Sequence, residues 1–405
     1  MRKNSLWRNR NFRTIFAAST VSHLGSGVSA VAFPWFASLL TRDPWLIGFV
    51  AMAPQLPWLL FALPFGVLTD RLDHRRTIVA SDGVRAGLTL LVAGLALVVL
   101  AGTPAVLSLA LIAFLLGTAE VLRDNTAQTL LPSIIDKNHL EAANAAMWSA
   151  NEVVGRFMAP PLAGVLISLG IALAFGFDAA MLATAALLIG RLTMLRAAAR
   201  SVQGFWPALQ EGVRWLWAHG QLRRLAMVLG AYNFLSSMIW SVMVLYAQDI
   251  LGLNAVGYGA LLSALAAGGL GGSLAAPWII RRVGPSRGLQ LSISGFVLAS
   301  GVLIFTTNPW VAGVALMTEA AASMVWNIIT VSYRQRHIPP ELLGRVNAAY
   351  RFVGSGTLPL GSLAGGALVA AAAPLGPFAL HVPFVAATAG AAMMLIYAAL
   401  QLRLD

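Results

Sequence analysis

Apolar runs long enough to cross a bilayer recur from about residue 14 to about residue 402, broken only by short stretches of charge, proline and glycine. A span needs roughly 18 or more largely apolar residues. In lipid the backbone must satisfy its own donors and acceptors, so a chain with many such runs is confined to a bundle of helices. A soluble protein would carry roughly 25% charged residues, whereas this 405-residue chain carries 10% and is 58% hydrophobic. The expectation is an all-α polytopic membrane protein.

Breaks in the apolar pattern predict about twelve spans, near residues 14–40, 45–69, 77–100, 105–130, 143–169, 172–195, 223–249, 256–280, 288–307, 310–332, 346–372 and 378–402. The basic start, MRKNSLWRNRNFRT, could open a leader. The run after it is too long for a leader's apolar region, so it reads as the first span. With links numbered alternately, the N-terminal side receives Arg2 to Arg13, Arg71, Arg75, Arg76, Lys137, Arg196 to Arg224, Arg281 to Arg287, Arg334 to Arg345 and Arg403. The other side receives only Arg42. Positive links stay in the cytoplasm, so both termini are expected there, in the cell inner (plasma) membrane. The net charge of +12 is thus a topology signal, and no nucleic-acid partner is expected.

The halves of the chain resemble each other. The link 70-DRLDHRR-76 after span two corresponds to 281-RRVGPSR-287 after span eight, and both later links end in NAA, at Asn144 and Asn347. Paired sets of six spans are the pattern of secondary transporters with a substrate site between repeats. The expected architecture is therefore twelve transmembrane helices in two pseudo-symmetric six-helix bundles, at 1–195 and 223–405. The linker at 196–222 contains 205-FWPALQEGVRWLWAHG-220, whose mixed polarity at helical spacing fits either a helix on the membrane surface or a linker packed on the bundle.

At these motifs the sequence resembles the major facilitator superfamily over nearly its whole length. The family's signature after span two is matched by Gly66, Leu68, Asp70, Arg71, Arg75 and Arg76, with Thr69 and Asp73 replacing the usual Ala and Gly. A second signature, found mainly in antiporters, is matched in 155-GRFMAPPLAG-164 by Gly155, Pro160 and Gly164, with Ala159 and Ala163 in place of glycines. An ordinary Gly/Pro packing site is the other reading of that stretch. The overall layout is most similar to the macrolide-efflux and siderophore-exporter branch of drug:proton antiporters. The resemblance implies a cytoplasmic gate at Gly66, Asp70, Arg71, Arg75 and Arg76; Asp82 and Arg85 are expected to join that charge cluster. A solvated loop that only sets topology is the alternative.

Ionisable groups within spans are costly and by default face a cavity or a partner. Glu120 and Glu152 lie at similar depths, roughly 16 and 14 Å from the cytoplasmic ends of spans four and five at 1.5 Å per residue. Glu120 and Asp124 share a helix face beside Arg123, and Glu152 pairs with Arg156 at i, i+4. Either carboxylate is a proton-coupling candidate; a permanent Arg–carboxylate lock between spans four and five is the competing reading. Glu319, central in span ten and without a basic neighbour in sequence, is a further coupling candidate. Asp178 is expected near the outer side and hydrated, and Asp249 as an exposed polar end.

His23, Asn151, Tyr232, Asn233, Trp240, Trp326 and Asn327 combine polar groups with span positions and are candidate liners of a substrate cavity. A satisfied packing residue is the other reading of His23. The chain has no cysteine, and its only lysines, Lys3 and Lys137, stand in no Gly-Lys-Ser/Thr phosphate loop. No clustered metal-ligand pattern occurs in it either, so neither an enzyme nor a cofactor is expected. The expected function is proton-exchanging export of a small amphipathic drug or secondary metabolite by a monomer in the bilayer. Uptake or sodium-coupled transport on the same fold, and a protein that binds or senses without transport, are the alternatives.

Overall fold

The computed structural model describes residues 6–69, 72–98, 102–135, 139–192, 205–339, 342–402 and 404. It is all-helical among these residues: α1 Arg10–Leu40, α2 Pro44–Met52, α3 Leu56–Thr69, α4 His74–Leu97, α5 Thr103–Ile134, α6 Leu140–Ala150, α7 Ala159–Leu169, α8 Ile171–Gly190, α9 Phe205–Ala218, α10 Gly220–Asp249, α11 Ala255–Phe305, α12 Pro309–His337, α13 Leu343–Ser355, α14 Leu358–Ala371 and α15 Val382–Gln401. A π-helical stretch, Asn151–Met158, joins α6 to α7.

Among the described residues, eleven helical stretches are long and apolar enough to cross a membrane. One of them, α11, has 51 residues and would run about 77 Å at 1.5 Å per residue, more than twice a hydrocarbon core of about 30 Å. Its backbone breaks at Gly284, with φ 79° and ψ 165°. Such a left-handed φ suits glycine, and Pro285 follows. The break falls inside the basic 281–287 link, so α11 contains spans eight and nine and the chain has twelve.

Local chemistry sets the ends. Asn9 caps α1 by accepting from the Asn11 and Phe12 amides at 3.0 and 3.2 Å. Asp73 caps α4 through the Arg76 amide at 3.0 Å, and Asn308 caps α12 through the Trp310 amide at 2.9 Å, with Pro309 supplying a first position that needs no donor. Each bond satisfies a backbone amide that the helix itself leaves orphaned.

Contacts group the chain into two units: residues 1–41, 53–202 and 255–263 in the first, and 42–52, 203–254 and 264–405 in the second. In the first, α1 and α4 pack on α8, and Phe175 meets Phe33 and Phe36 edge-on at 5.2 and 5.8 Å. In the second, Gly361 and Gly365 let α14 lie directly on α10. A Cβ at either position would stand 2.2 Å from a carbonyl oxygen, of Phe234 or Met238. Without a hydrophobic drive between helices in lipid, such small-residue seams supply association through close packing. The second unit's core gathers Leu225, Ile293, Trp326, Ile329, Val346 and Tyr350.

The linker region shows a helix from 205, α9, and it packs on α13. A Cβ at Gly212 would stand 2.5 Å from the Arg345 carbonyl oxygen, Leu216 is fully buried, and the Arg345 guanidinium donates to Glu211. Residues 196–204 of the predicted linker lie outside the described residues.

Candidate functional site

In the second unit, Tyr232, Ser236 and Trp240 are spaced four residues apart on α10, so they share one face. That face meets Glu319, ten residues into α12. The Tyr232 hydroxyl donates to Glu319 Oε1 at 3.0 Å, and the Ser236 hydroxyl lies at 3.5 Å from the same oxygen. Glu319 is 7% exposed, and no arginine, lysine or histidine pairs with it among the described residues. Beside it lies a cavity of about 10 Å³ lined by Ser236, Trp240, Phe296 and Leu316, about the size of a single water site. The Phe296 ring packs on Tyr232 at 4.8 Å. A buried carboxylate held only by neutral hydroxyls is suited to carrying and releasing a proton, because an uncompensated buried charge is costly.

The first unit treats its charges in the opposite way. One oxygen of Asp82, whose side chain is 0% exposed, faces Arg85 at 3.4 Å and Arg123 at 3.5 Å. Arg123 also donates to Asp124 at 3.0 Å, and Arg85 donates to the Ser26 hydroxyl at 2.9 Å and approaches Glu120 at 3.9 Å. This network links α4 and α5 and reaches α1. Among the described residues, Asp82 and Arg85, expected with the 70–76 charges, make their ion pairs with each other and with span-four residues. Among the described residues, Glu120 pairs toward span three, and Glu152 pairs with Arg156 of its own span at 3.4 Å, rather than across spans four and five.

The gate residues divide. Gly66 lies in α3, while Asp70 and Arg71 lie outside the described residues. Asp73 and Arg75 attend to helix ends: Asp73 is the α4 cap, and the Arg75 guanidinium donates to the Gly190 carbonyl at the last residue of α8. A cation there complements the negative end of the helix dipole. The Arg76 amide donates to Asp73, and its side chain makes no ion pair among the described residues.

The antiporter-like stretch packs closely against its neighbours. Gly155 falls in the π-helical turn, where a Cβ would stand 3.2 Å from both the His23 carbonyl and Asn151 Oδ1. Its own carbonyl would be 2.2 Å from a Cβ on Gly27 of α1. Pro160 and Gly164 touch the start of α11, which approaches through Gly259 and Ala255. Pro160 follows the π-helical turn inside one continuous helical span, Ala142–Leu169, where it removes a backbone donor.

Among the expected cavity residues, Tyr232 and Trp240 gather at Glu319, and His23 and Asn151 gather at Gly155. The others are placed elsewhere. Asn233 spends its amide on the Gly354 carbonyl at 2.8 Å, tying α10 to α13. Trp326 is packed in the hydrophobic core, and Asn327 points to the exposed side of α12. Asp178, expected to be hydrated, is buried and accepts from the Ser29 hydroxyl at 2.5 Å. Asp249 is exposed as expected but ion-paired with Arg42 at 2.6 Å. Ser236, Ser29 and Ser26 were not anticipated; Ser236 had a legible signal, midway between Tyr232 and Trp240 on one helical face.

Residues 4–404 match the family described as transmembrane secretion effector. The chain is 26% identical over 345 residues to the enterobactin exporter EntS of Salmonella typhi, covering 84% of this chain and 81% of that one. It is 25% identical over 344 residues to EntS of Escherichia coli O127:H6, covering 84% and 80%. Its fold is similar to the nucleoside transporter NupG, with TM-score 0.77, 14% identity and coverage of 98% and 100%. A bacterial homologue of the iron transporter ferroportin, inward-facing, gives TM-score 0.75 at 14% identity, covering 98% and 99%. A twelve-span fold of paired small-residue seams, matched over all but a few residues, places the chain in the transmembrane secretion effector family of major facilitator superfamily transporters, a multi-pass membrane protein rather than an enzyme.

Proposed function

We propose that this protein exports a small amphipathic compound in exchange for protons, with Glu319 as the coupling carboxylate. The observation that carries the coupling is the pocket of Tyr232, Ser236 and Trp240 around Glu319, which offers hydroxyls but no cation among the described residues. Glu120 and Glu152, the leading sequence candidates, each stand beside an arginine, which suits a standing charge better than one that comes and goes. Membership of a secretion effector family and similarity to exporters of enterobactin support the outward direction. The bias of basic links supports cytoplasmic termini in the plasma membrane.

The test uses sealed proteoliposomes and a panel of amphipathic compounds, including enterobactin. An imposed proton gradient should drive accumulation of at least one compound, and a protonophore should abolish it. Glu319→Gln should lose gradient-driven accumulation while keeping downhill exchange. Accumulation that follows a sodium gradient, or full coupling in Glu319→Gln, would overturn the assignment.

A further inference from the structure

The second unit carries a groove unconnected with Glu319, of about 860 Å³, between the two arms of α11 and the face of α12. Its floor exists because Gly268 and Gly272 bring α11 onto the α12 backbone. A Cβ at these positions would stand 2.2 Å from the Met317 carbonyl oxygen and 2.4 Å from the Ala321 Cα. After Gly284 the second arm returns over α12 through Gly295, leaving a trough between the arms. Gly271 lines the trough, and a Cβ there would meet nothing within 4 Å.

Away from the Trp278 and Arg282 end, the two hydroxyls among the lining residues are both spent on backbone carbonyls. The Ser292 hydroxyl is spent on the Gly288 carbonyl at 2.9 Å, and the Thr318 hydroxyl on the Val314 carbonyl at 2.9 Å. Charge appears only at one end. There the Arg282 guanidinium lies 5.7 Å from the centre of the Trp278 ring, and Trp278 is 58% exposed. Arg282 lines this end, and Arg281 and Arg287 belong to the same link between spans eight and nine. None of them pairs with a carboxylate among the described residues. An apolar trough that ends at a tryptophan and an arginine without a carboxylate partner among the described residues, at the level of a membrane link, is complementary to an acyl chain with a negatively charged head.

We infer that this groove holds one phospholipid of anionic head group, with an acyl chain along Gly271 and Gly295 and its phosphate against Arg282. The site is separate from the transport reading and does not depend on it. It assigns a purpose to the 281–287 arginines beyond topology.

The test reconstitutes the full chain in phosphatidylcholine nanodiscs containing a minor fraction of either phosphatidylglycerol or phosphatidylcholine brominated on its acyl chains. Trp278 fluorescence is isolated as the difference from Trp278→Phe. Brominated phosphatidylglycerol should quench Trp278 at about fivefold lower fraction than brominated phosphatidylcholine, the preference that one surface arginine confers. Arg282→Gln should remove that preference by deleting the head-group contact, and Gly271→Leu should remove it by filling the trough. Equal quenching by the two lipids in the unmodified protein would overturn the inference, as would a preference that survives both substitutions.

Discussion

The carboxylate of Asp82 lies 3.5 Å from the guanidinium of Arg123, and the same oxygen faces Arg85 at 3.4 Å. One buried anion therefore serves two buried cations on neighbouring spans. Removing one partner of a buried pair is strongly destabilising because the other charge is left in low dielectric, by about 3–5 kcal/mol. Asp124 and Glu120 remain to compensate, so Asp82→Asn is expected at about 3 kcal/mol, the lower end of that range. Glu120→Gln should cost much less, since that side chain is 42% exposed. Thermal unfolding of the purified protein in detergent compares them directly. An equal shift for both would show that Asp82 is not the centre of the network.

Tyr232 and Glu319 offer a graded version of the coupling test. The hydroxyl donates at 3.0 Å to the carboxylate, and hydrogen bonds to a charged group are worth about 1.5–3 kcal/mol. Tyr232→Phe keeps the ring on Phe296 and deletes the hydroxyl, with its bond to Glu319 and its contact with Ser323. Gradient-driven turnover in vesicles should fall about tenfold, the kinetic equivalent of about 1.4 kcal/mol, with membrane insertion unchanged. Turnover equal to the unmodified protein would separate the tyrosine from coupling.

Two glycines give opposite expectations for one substitution. A Cβ on Gly27 would stand 2.2 Å from the Gly155 carbonyl oxygen, whereas one on Gly83 would meet nothing within 4 Å. Gly27→Ala must push α1 away from the π-helical turn, at about 1–3 kcal/mol for an overpacked contact. Gly83→Ala only improves helix propensity, by up to about 1 kcal/mol. Melting temperatures should therefore move down for Gly27→Ala and stay level or rise for Gly83→Ala. A drop for both would argue that the Gly27 contact is not what sets the difference.

The spans and their number were legible because hydropathy, charge and proline act along the chain. Even the break inside α11 was marked, by the arginines and the Gly-Pro of 281–287. What sequence spacing could not supply was which faces meet. Glu120 and Asp124 are recognisable as helical neighbours of Arg123, but nothing in their order reveals that Asp82, a span earlier, comes within 3.5 Å of that arginine. Asp73 shows a similar limit. It read as a departure from a family glycine, while its physical use is as a helix cap, a role fixed by the amide three residues on. Trp326 misled because an aromatic with a polar edge suits a cavity and a core equally, and only packing decides.

The linker helix α9 separates two readings that the sequence left open, a helix on the membrane surface and one packed on the protein. In the structure Leu216 is buried against the second unit and its neighbour Trp217 is about half exposed, so docking predicts opposite reactivities at adjacent positions. The chain has no cysteine, and a single introduced one reports cleanly. Trp217→Cys should react readily with a water-soluble maleimide, and Leu216→Cys should be protected. Gly212 tests the cause of that protection, because a side chain there runs into the Arg345 carbonyl. Adding Gly212→Val to Leu216→Cys should lift α9 and expose the thiol. Breaking the half-exposed Glu211–Arg345 pair should do far less, since such ion pairs contribute little, roughly 0–1 kcal/mol. Equal labelling of positions 216 and 217 without the Gly212 change would instead place the helix away from α13.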